Sequence, residues 1–119
     1  MAENPFHTAD HREAHDAARA CHVAAMDALR VSLSSGWDPD ARDRVTMLLD
    51  TADICRTTGD FLQRGSVHVP DVCRTCAIVC GECRDECERL GAEELSACAE
   101  ACDRCVRACS RLVIQRAAD

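Results

Sequence analysis

The chain has no tyrosine, one tryptophan and two phenylalanines in 119 residues. Leucine, isoleucine, valine and phenylalanine together make up less than a fifth of it, too few for an ordinary aliphatic core. So small a stock of β-branched and aromatic residues excludes a β-sandwich or barrel. No uncharged stretch approaches the ~20 residues that cross a bilayer as a helix, so no membrane partner is expected. Lysine is also missing: all 14 basic residues are arginine, set against 21 acidic ones for a net charge of −7. Nucleic acid wants a basic face and is not an expected partner either. The opening Met1-Ala2-Glu3-Asn4-Pro5-Phe6-His7 has neither a basic start nor an apolar run, so no export signal is read and a cytoplasmic location is expected.

What is there instead is alanine and 11 cysteines. Cysteine behaves as a small, readily buried hydrophobe, so the core is expected to be lined by Ala and sulfur. A cysteine content this high signals a disulfide scaffold in a short secreted chain, but the odd count and the missing export signal oppose that reading. Spacing opposes it more strongly. Nine cysteines fall in two runs, Cys73, Cys76, Cys80, Cys83, Cys87 and then Cys98, Cys102, Cys105, Cys109. The steps alternate between three and four residues, which is the inward seam of an amphipathic helix. Thiols stacked on one helix face have nearly parallel Cβ vectors and pair poorly with one another. Free thiols on facing helices are the expectation.

Four helices are read in one domain spanning 1–119, over about 8–33, 39–64, 70–90 and 92–114. Asn4 with Pro5, or Thr8, opens the first. His11, His15, Ala18, His22, Ala25 and Leu29 share one of its faces by spacing. Ser34-Ser35-Gly36-Trp37 breaks it, and Trp37 is expected to cap a bundle end or meet another subunit. Asp38-Pro39 signals the start of the second helix, which carries Val45, Leu48, Ala52 and Cys55 on its seam. Pro70 opens the third and Gly91 stops it; acidic Glu93 and Glu94 suit the start of the fourth. Short connections make neighbours antiparallel, giving an all-α, up-down-up-down four-helix bundle with a cysteine-lined core.

Soft thiolates in a tube select Cu(I), zinc or iron–sulfur clusters. The run Cys73-x2-Cys76-x3-Cys80-x2-Cys83 has the wrong middle step for a bacterial iron–sulfur motif, lacks its proline, and lies on a continuous helix rather than a wrapping loop. Zinc stays open, because Cys-x2-Cys pairs occur at Cys73/Cys76, Cys80/Cys83 and Cys102/Cys105, although a closed zinc site takes four ligands. A seam of consecutive thiols suits a metal that needs two or three sulfurs and shares them, and Cu(I) is that metal. The pairs Cys76/Cys80, Cys83/Cys87, Cys98/Cys102 and Cys105/Cys109 could each hold or bridge ions. A catalytic reading has no acid–base set or cleft to rest on, and a redox protein with an iron–sulfur or haem centre is the remaining alternative.

The stretch from about Asp50 to Leu112 resembles the cysteine-rich four-helix-bundle copper storage proteins, in particular their cytosolic branch. It contains Ala52-Asp53-Ile54-Cys55, Phe61-Leu62-Gln63-Arg64-Gly65-Ser66, both cysteine runs, and Cys98-Ala99-Glu100-Ala101-Cys102. The resemblance implies a cytosolic homotetramer that sequesters many Cu(I) ions along the bundle core and is not an enzyme. Its N-terminal half departs from the family pattern. Only Cys21 and Cys55 stand where such proteins are rich in CxxxC pairs, and Thr51 takes the place of an expected thiol. A lower capacity is therefore expected.

An antiparallel bundle puts Cys21, Thr51, Cys80 and Cys102–Cys105 at one height. Below come His11, His15, Cys55, Cys73, Cys76, Cys105 and Cys109; above, Ala25, Leu29, Val45 and Leu48 face Cys83, Cys87, Cys98 and Cys102. This placement predicts a mixed His/Cys site at the lower end and a thiolate row above it. His11, His15 and His22 are the candidate nitrogen ligands, with His7 and His68 weaker ones. Cys21, one step off the His22 seam, is the cysteine that most resembles a plain core residue. Met26 and Met47 are read as gap-fillers.

Overall fold

The computed structural model describes residues 8–36 and 38–118. Among these the secondary structure is helical: α1 (Ala9–Ser34), α2 (Ala41–Gln63), α3 (Val69–Leu90) and α4 (Ser96–Ala118), with a short 3-10 turn at Glu93–Leu95 leading into α4. Asn4, Pro5, His7 and Trp37 lie outside the described residues.

The helix starts follow from local chemistry. Thr8 caps α1, its hydroxyl accepting a hydrogen bond from the His11 N–H at 3.2 Å, and Asp10 adds negative charge to the first turn. α2 begins at Ala41, two residues after the predicted start. Asp38 still organises it from outside the helix: its carboxylate accepts from the Asp40 N–H at 2.9 Å and from Arg44 at 2.9 Å. Pro70 sits in the first turn of α3, and Gly91 ends it in the left-handed region (φ 66°), with its N–H donated to the Cys87 carbonyl. A residue with a Cβ would be strained there. At the predicted start of α4, residues 93–95 take the tighter 3-10 geometry, and Leu95 is buried beneath the turn.

The helices run up, down, up and down in a rod of 56 × 21 × 19 Å. Glu13 on α1 receives two hydrogen bonds from Arg104 on α4, and Arg84 bonds Asp103 at 3.0 Å across α3 and α4. The inward face of α1 is made by Ala14, Ala17, Ala18, Cys21, Ala25, Ala28 and Leu29. That corrects the expected histidine seam, because the true face is rotated by about one residue. It is set by the small residues, which let α2 and α4 come close. α2 turns Leu48, Thr51, Ala52, Cys55, Thr58 and Leu62 inward. Leu95 closes one end of the core and Leu62, Val69 and Leu112 the other, while Leu29 and Leu48 face the thiols near the first end.

Candidate metal centre

All 11 cysteines are reduced and buried. From Cys73 to Cys87 the thiols of α3 run about 21 Å along the bundle, at ~1.5 Å per residue. The shortest sulfur approaches are between helices, not along one. Cys55 and Cys80 lie 3.4 Å apart, Cys21 and Cys102 3.6 Å, and Cys76 and Cys105 3.6 Å. The along-helix pairs are longer, 3.8 Å for Cys76/Cys80 and 4.0 Å for Cys105/Cys109.

Three groups of donors converge within 4.8 Å: Cys21/Cys55/Cys80/Cys105, Cys76/Cys105/Cys109 and Cys83/Cys87/Cys98. The first takes one thiol from each helix. Cys21 is therefore a full member of the central group, not a bystander on the edge of α1. Cys55, expected below the midpoint, stands at it. The reason is register: His22 donates from Nδ1 to the Ala52 carbonyl at 2.8 Å, which fixes α1 against α2 and brings Cys55 level with Cys21.

Among the described residues, no converging group includes a histidine. His11 faces the Thr8 hydroxyl through Nδ1 at 2.6 Å, and burial lowers its pKa, partly offset by Asp10. His22 uses Nδ1 on Ala52. His15 is different: its Nδ1 is 3.5 Å from Asp16 Oδ1, while its Nε2 is buried with no partner. His68 lies in the α2–α3 connection, beside Asp71. Thr51 bonds the Met47 carbonyl at 2.9 Å, and the buried Thr58 hydroxyl has no partner.

The thiols share protons. Cys105, hydrogen-bonded by Cys109, Cys21, Cys55 and Cys76, is held far below the ordinary thiol range. Cys55 and Cys109, donating to it, keep their protons and are pushed up. Hydrogen bonding from Cys102 draws Cys21 down to about 6, and Cys83 is lowered by Cys102, Cys87 and Cys98. Cys80, hemmed in by Cys102, Cys105, Cys21 and Cys55, is pushed up. Along α3, Cys76 and Cys83 are thiolate-prone and Cys80 and Cys87 hold their protons, while on α4 Cys98 and Cys102 are both pushed up; the thiolate is the form that binds a soft metal.

No curated protein matches the chain significantly. Solved structures do. A cytosolic copper storage protein from Streptomyces lividans, captured with five coppers, is 29% identical over 88% of this chain and 92% of its own, with a TM-score of 0.78. The S. lividans copper storage protein loaded with 10 copper equivalents is 26% identical over 96% of this chain and 93% of its own, with a TM-score of 0.79. The Nitrosospira multiformis protein Nmul_A1745 is 25% identical over 89% of this chain and 96% of its own, with a TM-score of 0.82. The copper storage protein family model matches residues 7–114, and the chain belongs to that family.

Proposed function

We propose that this chain is a cytosolic homotetramer that stores Cu(I) as thiolate complexes in each bundle core. The proposed ligands are Cys21, Cys55, Cys73, Cys76, Cys80, Cys83, Cys87, Cys98, Cys102, Cys105 and Cys109. The observation that carries the reading is the set of reduced, buried sulfurs from different helices lying 3.4–4.0 Å apart, close enough for neighbouring ions to share them. Charge accounting supports Cu(I) in particular. One Cu(I) per thiolate leaves the core neutral, whereas a zinc ion held by four thiolates would leave two negative charges there. An uncompensated buried charge costs several kcal/mol, so the same tube is a poor closed zinc site.

The histidines stand outside the thiol groups. His15 is the strongest nitrogen candidate, since its partnerless Nε2 and the carboxylate at its Nδ1 are the arrangement of a metal-bound imidazole. His11 and His22 are weaker candidates, as their Nδ1 atoms already serve Thr8 and Ala52. A tetramer has support in the apolar side chains exposed on the outer face of α1 and α2, Val23, Leu33 and Leu49. Among the described residues, no helix is long and apolar enough to cross a membrane. Among the described residues no histidine or carboxylate joins the converging thiols, and the role proposed is binding rather than catalysis.

The test is an anaerobic titration of reduced, metal-free protein with Cu(I) against a competing chelator. Sharp uptake of several ions per chain, undisturbed by zinc, is the expected result. One ion or fewer, readily surrendered to the chelator, would overturn storage. Light scattering on the same sample reads the tetramer.

A further inference from the structure

The sulfurs do not form one uniform row. Seven of them make a continuous network, in which each step is 4.0 Å or less: Cys102 to Cys21, Cys21 to Cys80, Cys80 to Cys55 and Cys76, Cys76 to Cys105, Cys105 to Cys109. All four helices contribute, and every member is completely buried. Cys83, Cys87 and Cys98 form a second group within 4.8 Å of one another. It comes from α3 and α4 alone, and no converging set of three joins it to the network. Cys102 stands between the two, touching Cys21 and reaching Cys83 and Cys98 electrostatically.

The reason for the break is what α1 and α2 place at this height. Four residues on from Cys21 stands Ala25, followed by Leu29. On α2, Leu48 and Thr51 are fully buried there, the Thr51 hydroxyl being bonded to the Met47 carbonyl. A copper ion at this level finds thiols on α3 and α4 only, while α1 and α2 present Ala25, Leu29, Leu48 and the Thr51 hydroxyl, which reaches Cys83. This is also the end at which the thiol row comes nearest the surface. Cys87 is 3% exposed where the network sulfurs are 0%. One turn beyond it, a cleft of about 210 Å³ opens between Ser32, Leu90 and Leu95.

Building on the storage reading, we infer that the chain holds two copper pools of different lability. The seven-sulfur network is the retained store, and Cys83/Cys87/Cys98 is an exchange pool that gives up Cu(I) first, through the α3–α4 end. Release is ligand exchange without redox change. A soft donor from outside bonds to the Cu(I), the copper–sulfur bond to Cys87 breaks, and that thiolate takes a proton from solvent as the ion departs. Ions in the network lie among sulfurs that are 0% exposed, so an incoming donor has no direct path to them.

The experiment is stopped-flow removal of Cu(I) from fully loaded protein by excess bicinchoninate. Two phases are expected, with the smaller one fast. Cys83→Ser/Cys98→Ser should lose the fast phase and leave the slow one intact, while Cys55→Ala/Cys105→Ala should shrink the slow phase and leave the fast one. Circular dichroism of each loaded variant confirms that the bundle persists, and Cys87→Ala, the mildest change, should by itself diminish the fast amplitude. A single phase in the parent protein, or loss of the slow phase from the Cys83/Cys98 variant, would overturn the two-pool inference while leaving storage standing. Failure to load copper at all would instead overturn storage, and the pools with it.

Discussion

The charge argument can be tested by counting protons. If every copper is matched by one thiolate, 11 thiols set a ceiling of eleven ions per chain, and each ion displaces at most one proton. Some protons are already gone before copper arrives. At pH 7.5 an ordinary thiol is largely protonated, with a pKa of about 8.5. Cys21, drawn down to about 6, and Cys76, drawn down to about 5, are largely ionised at that pH, and Cys83 and Cys105 are held lower still. Full loading therefore releases roughly seven to eleven protons, or about 0.6 to 1.0 per copper. The competing arrangement gives each copper two thiolates of its own. It saturates near five ions, releases about 1.2 to 2.0 protons per ion, and leaves a buried negative charge at each site. A pH-stat titration in weak buffer, with Cu(I) delivered as its acetonitrile complex, reads the ratio directly. A value above about 1.2 with saturation near five ions would refute the neutral-core reasoning.

The remaining expectations are simpler. Because bound copper competes with protons, apparent Cu(I) affinity should fall by up to about tenfold for each pH unit lowered, read by chelator competition between about pH 8 and 6; a flat profile would mean the thiols are already ionised. The sign follows from Cys55, Cys80 and Cys109, whose raised pKa values keep them protonated until metal displaces the proton. His22→Ala removes the hydrogen bond to the Ala52 carbonyl and should cost ~1 kcal/mol in denaturant unfolding, with copper stoichiometry unchanged; loss of an ion would instead make His22 a ligand. Thr58→Val replaces a buried hydroxyl that has no partner with a methyl of the same shape. It should stabilise the metal-free protein by ~1–3 kcal/mol, and a loss of stability would show that the hydroxyl is satisfied by an ordered water.

The bundle was legible because its signals are redundant. On α3 and α4 the cysteines are themselves the seam, so periodicity gives helix, inward face and candidate ligands at once, and Pro70 and Gly91 mark the ends of α3. On α1 the same logic misplaced the face by about one residue. Following the histidines gave a regular three-four step, but alanine is spread so widely around α1 that periodicity alone does not choose between adjacent faces. Burial chose the face that carries Cys21. The height of Cys55 was misjudged for a related reason. Counting residues from assumed midpoints ignores that α2 begins at Ala41, after a turn organised by Asp38, and its true register rests on a contact, His22 to Ala52, that no local pattern announces. The gap between the central thiols and Cys83/Cys87/Cys98 is equally tertiary, since it depends on which residues of α1 and α2 arrive at that height.

The poverty in aliphatic residues is what makes the site possible. Helix axes in ordinary bundles are held ~8–10 Å apart by the side chains between them. Here alanine and cysteine occupy those positions, so sulfurs from neighbouring helices approach to 3.4–3.6 Å, a spacing at which thiolates share ions. Bulkier residues would give more hydrophobic stabilisation, at ~25 cal/mol per Å² buried, but would part the sulfurs. The compromise is spatial. Leu95 at one end and Leu62, Val69 and Leu112 at the other close the core beyond the thiols, and alanine and cysteine fill most of the middle. Ion pairs such as Glu13–Arg104 tie the helices on the outside. A metal that bonds thiolates of different helices then supplies cohesion in the stretch where hydrophobic packing is weakest, so the cargo completes the core that carries it.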